Sequence, residues 1–147
     1  VVRLSADEER YIRTNVGYYA AVFERLRGRK SRACWNWAAA LFPTGWFFYR
    51  KVYSWGIASM VISAGLCFLG GIVTLVLALL FRLFVALCGN MFYMQHIENV
   101  ARGGMRLREP ARSRYAKLYG GTSAVLAVLS FIVLLSLECV IFRFFYS

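Results

Sequence analysis

The stretch WNWAAALFPTGWFFYRKVY, residues 35–53, decides how this chain is read. It is rich in aromatic and small residues, is interrupted by Pro43, and ends in the cations Arg50 and Lys51. Tryptophan and tyrosine favour the membrane–water interface, where the ring sits in lipid while its N–H or O–H stays wet. Cations just after such a belt halt insertion and fix that end on the cytoplasmic side or its equivalent. On this reading Trp35, Trp37, Trp46, Tyr49, Arg50, Lys51 and Tyr53 are interfacial groups that touch lipid or a partner.

Working outward, the composition agrees with a membrane protein. The 147 residues suffice for one domain, and 60% of them are hydrophobic, against about 45–50% in soluble domains. The net charge of +11 lies beside apolar runs, which suits loops facing anionic lipid, each basic group contributing about 1 kcal/mol near such a surface. No nucleic-acid motif accompanies the charge, so nucleic acid is not an expected partner. Cys34, Cys67, Cys88 and Cys139 form no C-x-x-C pair and read as small buried hydrophobes. With His96 as the only histidine, neither a metal site nor a cofactor is expected.

Residues 1–33 read as an amphipathic helix and a basic linker. Ser5 and Glu8 have capping-box spacing, and Ile12, Val16, Tyr19, Phe23 and Leu26 recur at helical intervals up to Gly28. Arg25, Arg27, Arg29, Lys30 and Arg32 then form a basic cluster. Residues 34–101 read as an interfacial segment followed by a transmembrane helical hairpin. Residues 34–42 are expected to form a short helix, Pro43 to break it, and Thr44 to cap a second helix running through Arg50 and Lys51 to residue 69. Gly70–Gly71 is either the turn of a hairpin or the middle of one span. The hairpin is preferred because it returns Arg50, Lys51 and the later basic loop to one side.

The second hairpin helix is expected over residues 72–101. Asn90, Tyr93 and His96 share a face at its inner end. They contact a neighbouring helix, a partner or the headgroup layer, or else bind a polar ligand. Residues 102–120 read as a basic loop, and residues 121–147 as a further transmembrane helix. Arg82 and Glu138 then fall within the membrane on different helices, and they are expected to form an ion pair, since an intramembrane charge costs at least about 2.5 kcal/mol unless it pairs or snorkels.

The ordered set Tyr18-Tyr19, Phe23, Trp35-Asn36-Trp37-Ala38-Ala39, Trp46, Tyr49-Arg50-Lys51 and Tyr53, followed by Gly89-Asn90-Met91-Phe92-Tyr93-Met94-Gln95-His96, resembles the bacterial small membrane-protein family DUF2628, a domain of unknown function. The resemblance covers residues 18–96. Pro43-Thr44-Gly45 stands where the family usually has glycine then proline, and Val52 replaces a methionine. The resemblance implies an integral membrane protein with a cytosolic N-terminal part and supplies no activity.

The expected fold is therefore an all-α integral membrane protein: an amphipathic N-terminal helix, an interfacial aromatic segment, a transmembrane hairpin and one further transmembrane helix. The expected place is the bacterial inner membrane, or alternatively an organellar one, with the N-terminus on the cytosolic or matrix side. The expected role is an accessory or structural subunit of a larger inner-membrane complex, without catalysis of its own. Its partners would be other membrane subunits, and anionic lipids through the basic loops. An oligomeric transporter or lipid-interacting protein is the alternative. A membrane enzyme using Asn90, Tyr93, His96 and Glu98 is a weaker one, because these groups sit on a single helix without a nucleophile.

Overall fold

The computed structural model describes residues 4–28 and 33–146. Among them the chain is all-α, with helices α1 (Ala6–Ile12), α2 (Val16–Arg27), α3 (Trp37–Leu41), α4 (Pro43–Tyr49), α5 (Tyr53–Leu66), α6 (Gly71–Met105), α7 (Ala111–Tyr119) and α8 (Ala124–Tyr146). Arg29, Lys30 and Arg32 of the basic cluster lie outside the described residues.

Ser5 caps α1 as its spacing predicts: its hydroxyl accepts from the Glu8 amide at 3.2 Å, and the Glu8 carboxylate accepts from the Ser5 amide at 2.8 Å. The expected single N-terminal helix is nevertheless two. The break falls at Arg13 and Asn15, both at positive φ (58° and 59°). Long-range bonds hold this corner: the Gly121 amide donates to the Tyr11 carbonyl at 2.6 Å, and Arg50 Nη1 donates to the Thr14 hydroxyl at 3.0 Å.

Residues 34–49 form a V laid against α6. The Cys34 and Asn36 amides donate to the Leu87 and Ala86 carbonyls at 3.1 and 2.9 Å. The Asn36 side chain caps α3 by accepting from the Ala39 amide at 3.1 Å. From there α3 climbs to Leu41, beside Arg82. Pro43 turns the chain, and α4 descends, with Trp46 against Gly89 and the Tyr49 carbonyl accepting from the Ser123 amide at 2.9 Å. Gly89 permits this close approach, since a Cβ there would lie 3.3 Å from the Trp46 ring and 3.4 Å from the Ala39 Cβ.

Thr44 does not cap α4. Pro43 takes the first helical position, which its fixed φ suits, and the Thr44 hydroxyl accepts from Ser59 Oγ at 3.1 Å. Nor does that helix continue through the cations. It stops at Tyr49, Lys51 turns the chain at φ 59°, and α5 starts at Tyr53. The Lys51 ammonium and Tyr53 hydroxyl then reach the Lys117 and Leu118 carbonyls at 2.6 and 3.0 Å.

Gly70–Gly71 is a turn, with both glycines at positive φ (66° and 58°). It folds α5 back onto α6, where the Thr74 hydroxyl donates to the Leu66 carbonyl at 2.9 Å. The basic stretch 102–121 is not a loop throughout. Its first residues extend α6 to Met105, and Ala111–Tyr119 forms α7.

Two helices, α6 and α8, are long and apolar enough to cross a membrane, and only 11% of each one's most apolar stretch is buried in the chain. The 14 residues of α5 reach about 21 Å. At the other end of α6, the N-terminal helices close into a cap held by ion pairs. Arg27 bridges Glu8 and Glu98, Arg112 pairs with Asp7, and Arg10 pairs with Glu109. The cap thereby engages four of the seven acidic residues, with Arg27 and Arg112 paired to carboxylates within the chain.

Candidate functional site

Two regions concentrate polar groups against apolar walls. The first lies where α2, α4 and α6 meet. Asn36 Nδ2 donates to Asn90 Oδ1 at 2.8 Å, and Asn90 Nδ2 donates to the Cys34 carbonyl at 3.3 Å. Next to this pair, Arg50 is only 4% exposed. Its guanidinium lies 4.5 Å from the Tyr19 ring centroid, 5.3 Å from that of Tyr93 and 5.6 Å from that of Tyr49. No carboxylate among the described residues pairs with it. Aromatic quadrupoles and the Thr14 oxygens stabilise the cation instead. Burial raises the Tyr19 phenol above its ordinary value despite the nearby Arg50 charge, so the ring stays neutral and keeps its face available to the cation.

The second region is a cavity of about 580 Å³ between the tip of the V, the far half of α5, α6 and α8. Its walls are mostly apolar, as at Phe42, Phe81 and Phe131, but Arg82 and Glu138 both line it. The expected ion pair between these two does not form. Arg82 Nη1 donates to the Leu41 carbonyl at 2.6 Å. The reason is local: Pro43 has no N–H and ends the helix, so the last carbonyls of α3 lack intrahelical partners. A cation at a helix C-terminus also suits the helix dipole. The Glu138 carboxylate has no hydrogen bond or ion pair among the described residues.

Residues 8–99 match the protein family of unknown function DUF2628, 92 of the 147 residues. The chain belongs to this family. None of the curated proteins matches it, and no solved structure does. The matched region runs from the cap carboxylate Glu8 through the V to the end of the Asn90–His96 face, so the first polar region lies wholly inside it. The second lies only partly inside, because α8 and Glu138 fall beyond residue 99.

The residues expected at an interface divide into two groups. Trp35 and Trp37 are exposed and pack edge to face with centroids 5.1 Å apart, while Tyr49, Lys51 and Tyr53 are half-buried. Trp46, Arg50, Asn90 and Tyr93 are in the protein's own core, which corrects their expected lipid or partner contact. The V turns Trp46 and Arg50 inward against α6, where Asn90 bonds Asn36 and aromatic rings surround Arg50 and Tyr93; Arg50 Nε and the Tyr93 hydroxyl are buried there without a hydrogen-bond partner among the described residues.

Asn90, Tyr93, His96 and Glu98 on α6 each meet a different neighbour. Asn90 is bonded to Asn36, Tyr93 is packed among Tyr19, Phe23 and Trp46, His96 Nε2 lies 3.3 Å from the Tyr119 carbonyl, and Glu98 accepts from Arg27. Four neighbours on one helix thus serve four separate contacts. Sequence reasoning passed over Ser59 and Thr14 and read Thr44 only as a helix cap; the Ser59 hydroxyl bonds Thr44 and the Thr14 hydroxyl bonds Arg50, contacts that no spacing rule marks.

Proposed function

We propose that this protein is an integral membrane protein that acts as a non-catalytic subunit of a larger membrane assembly. In this reading α5 and α6 form the hairpin in the bilayer, α8 is a further span, and the V of α3 and α4 is a re-entrant wedge entering from the cap side. The cap and its basic residues lie on the cytosolic or matrix face of a bacterial or organellar inner membrane, where anionic lipid complements the charge.

One observation carries the reading: only 11% of the most apolar stretch of α6 and of α8 is buried inside the chain. A hydrocarbon or protein neighbour must cover the rest. The short α5 supports a protein neighbour. Its reach of about 21 Å falls short of a hydrocarbon core of about 30 Å, and helices too short for the bilayer relieve the mismatch by thinning it or by associating. Backbone that enters the membrane without spanning it is tolerated when packed against protein, as α3 and α4 are against α6 and α8.

The test is extraction of tagged full-length protein from its native membrane in mild detergent after brief cross-linking, followed by size separation and mass spectrometry. Reproducible co-migration with other membrane proteins is expected. A species of monomer mass with only lipid attached overturns the subunit reading. A second reading, lipid handling, is favoured by one specific feature, the charged cavity at the tip of the V.

A further inference from the structure

We propose that the cavity between the V, α5, α6 and α8 binds one zwitterionic phospholipid through its headgroup, with Glu138 taking a primary ammonium and Arg82 taking the phosphate. This rests on the reading that α6 and α8 lie in a membrane. Three observations carry it.

The cavity is lined by two groups of opposite sign, Arg82 and Glu138, that make no contact ion pair, although the Arg82 charge is felt at Glu138. Arg82 uses one N–H on the Leu41 carbonyl, and a guanidinium has five, so donors remain for an anionic oxygen. The Glu138 carboxylate, acceptor-only when ionised, makes no hydrogen bond or contact ion pair among the described residues. An occupant that satisfies both must present an anion and an N–H cation together.

The two groups are also ordered along the helices. Phe145 packs on Phe68 in the turn that joins α5 to α6, and Glu138 is one α8 stretch of about 10 Å below that level. Arg82 lies about 16 Å along α6 from Gly71, at the same turn. Glu138 is therefore the shallower group and Arg82 the deeper. A lipid entering from the leaflet at that turn presents its ammonium first, its phosphate next and its acyl chains deepest, in the same order. Beyond Arg82 the walls become apolar at Phe42, Val128 and Phe131, which suits an acyl chain.

Size is consistent too. At about 580 Å³ the cavity falls within the range of about 300–1,000 Å³ that encloses one small organic ligand. It admits a headgroup with part of one chain, leaving the remaining hydrocarbon in the surrounding bilayer.

The chemistry makes the preference specific. Phosphatidylethanolamine offers both a phosphate and N–H donors. Phosphatidylcholine has a quaternary ammonium without N–H, and phosphatidylglycerol has no cation. The full-length protein, purified in detergent, is offered the three lipids at equal concentration, and retained lipid is counted by native mass spectrometry. Phosphatidylethanolamine should be retained about tenfold over phosphatidylcholine, the value of one charge-assisted hydrogen bond. Glu138→Gln should abolish that preference while leaving phosphatidylglycerol retention in place. Arg82→Gln should lower retention of all three, and Ala78→Trp, which fills the cavity wall, should do the same.

Glu138→Gln keeps the test sound if Arg82→Gln unfolds the V, because Glu138 makes no structural bond. Equal retention of all three lipids by the wild type, or an unchanged preference in Glu138→Gln, overturns the proposal. An alkaline carbonate wash of the source membranes separates the two failures. Protein released by the wash overturns the membrane reading as well, whereas protein that stays in the membrane but shows no lipid preference overturns this inference alone.

Discussion

Arg82 Nη1 donates to the Leu41 carbonyl across 2.6 Å, joining the first third of α6 to the last residue of α3. The guanidinium takes the place of the helical N–H partners that Pro43 denies this end of α3. An arginine within an apolar helix is thereby explained by backbone chemistry, whatever else it binds.

Arg82→Gln should therefore destabilise the protein by about 1.5–3 kcal/mol, the range for a hydrogen bond to a charged group. Arg82→Lys, which retains the charge and a donor, should recover most of that loss. Thermal unfolding in detergent measures both, and Glu138→Gln, run in parallel, should leave the midpoint unchanged.

At Gly89 the V packs tightly on α6. Gly89→Leu would drive a side chain into Trp46 and Ala39 and should cost about 1–3 kcal/mol by overpacking. Tryptophan emission should shift to longer wavelength as Trp46 loses its buried site, whereas Gly65→Leu, where a Cβ meets nothing within 4 Å, should leave the emission in place.

Arg50 is a buried cation held by aromatic faces. Arg50→Lys keeps the charge but loses the flat guanidinium that stacks on Tyr19 and Tyr93, and should cost about 1–2 kcal/mol. Arg50→Met fills much of the same space without a charge to desolvate and should be the better tolerated of the two. Denaturant unfolding of the pair decides the order; the reverse order would show that the charge outweighs its desolvation here.

The cap should loosen in acid. Partial burial alone would raise the Glu8 carboxyl, but hydrogen bonds from Arg27 and the Ser5 amide, with the Arg27 charge, hold it below its ordinary value of 4.5. A lowered folded value means that the stabilisation is complete above the ordinary value and is lost as pH falls through the folded one. The stability difference between wild type and Glu8→Gln should stay level near neutrality and shrink below about pH 4.5. Amide exchange in α1 should report it.

The parts legible in the sequence were those set by near neighbours. Ser5 and Glu8 cap α1 because both partners lie within one turn, and Gly70–Gly71 turns the chain because glycine adopts positive φ without strain. The parts that were not legible depend on distant partners. Trp46 and Arg50 have the composition of an interfacial belt, and only Gly89, Tyr19 and Tyr93 make them core. Arg13 and Asn15 break a helix without glycine or proline, because Gly121 and Arg50 bind the corner from afar. The helix α7 was hidden because its charges obscure any apolar period. The site was half visible: Arg82 and Glu138 stood out as charges in apolar helices, but the Leu41 carbonyl, a backbone atom, leaves no mark in a sequence.

The cap also sets an order in time. Asp7 and its partner Arg112 are 105 residues apart in the chain. At a synthesis rate of about 5–20 residues per second, the partner emerges about 5–20 seconds after Asp7. Throughout that interval Tyr11 and Ile12, fully buried in the finished protein, await the helices that cover them. Closure of the cap is therefore available only to a chain whose α6 and α7 have already been made. A nascent chain arrested before Ala111 should leave α1 open to protease, and one released at full length should protect it.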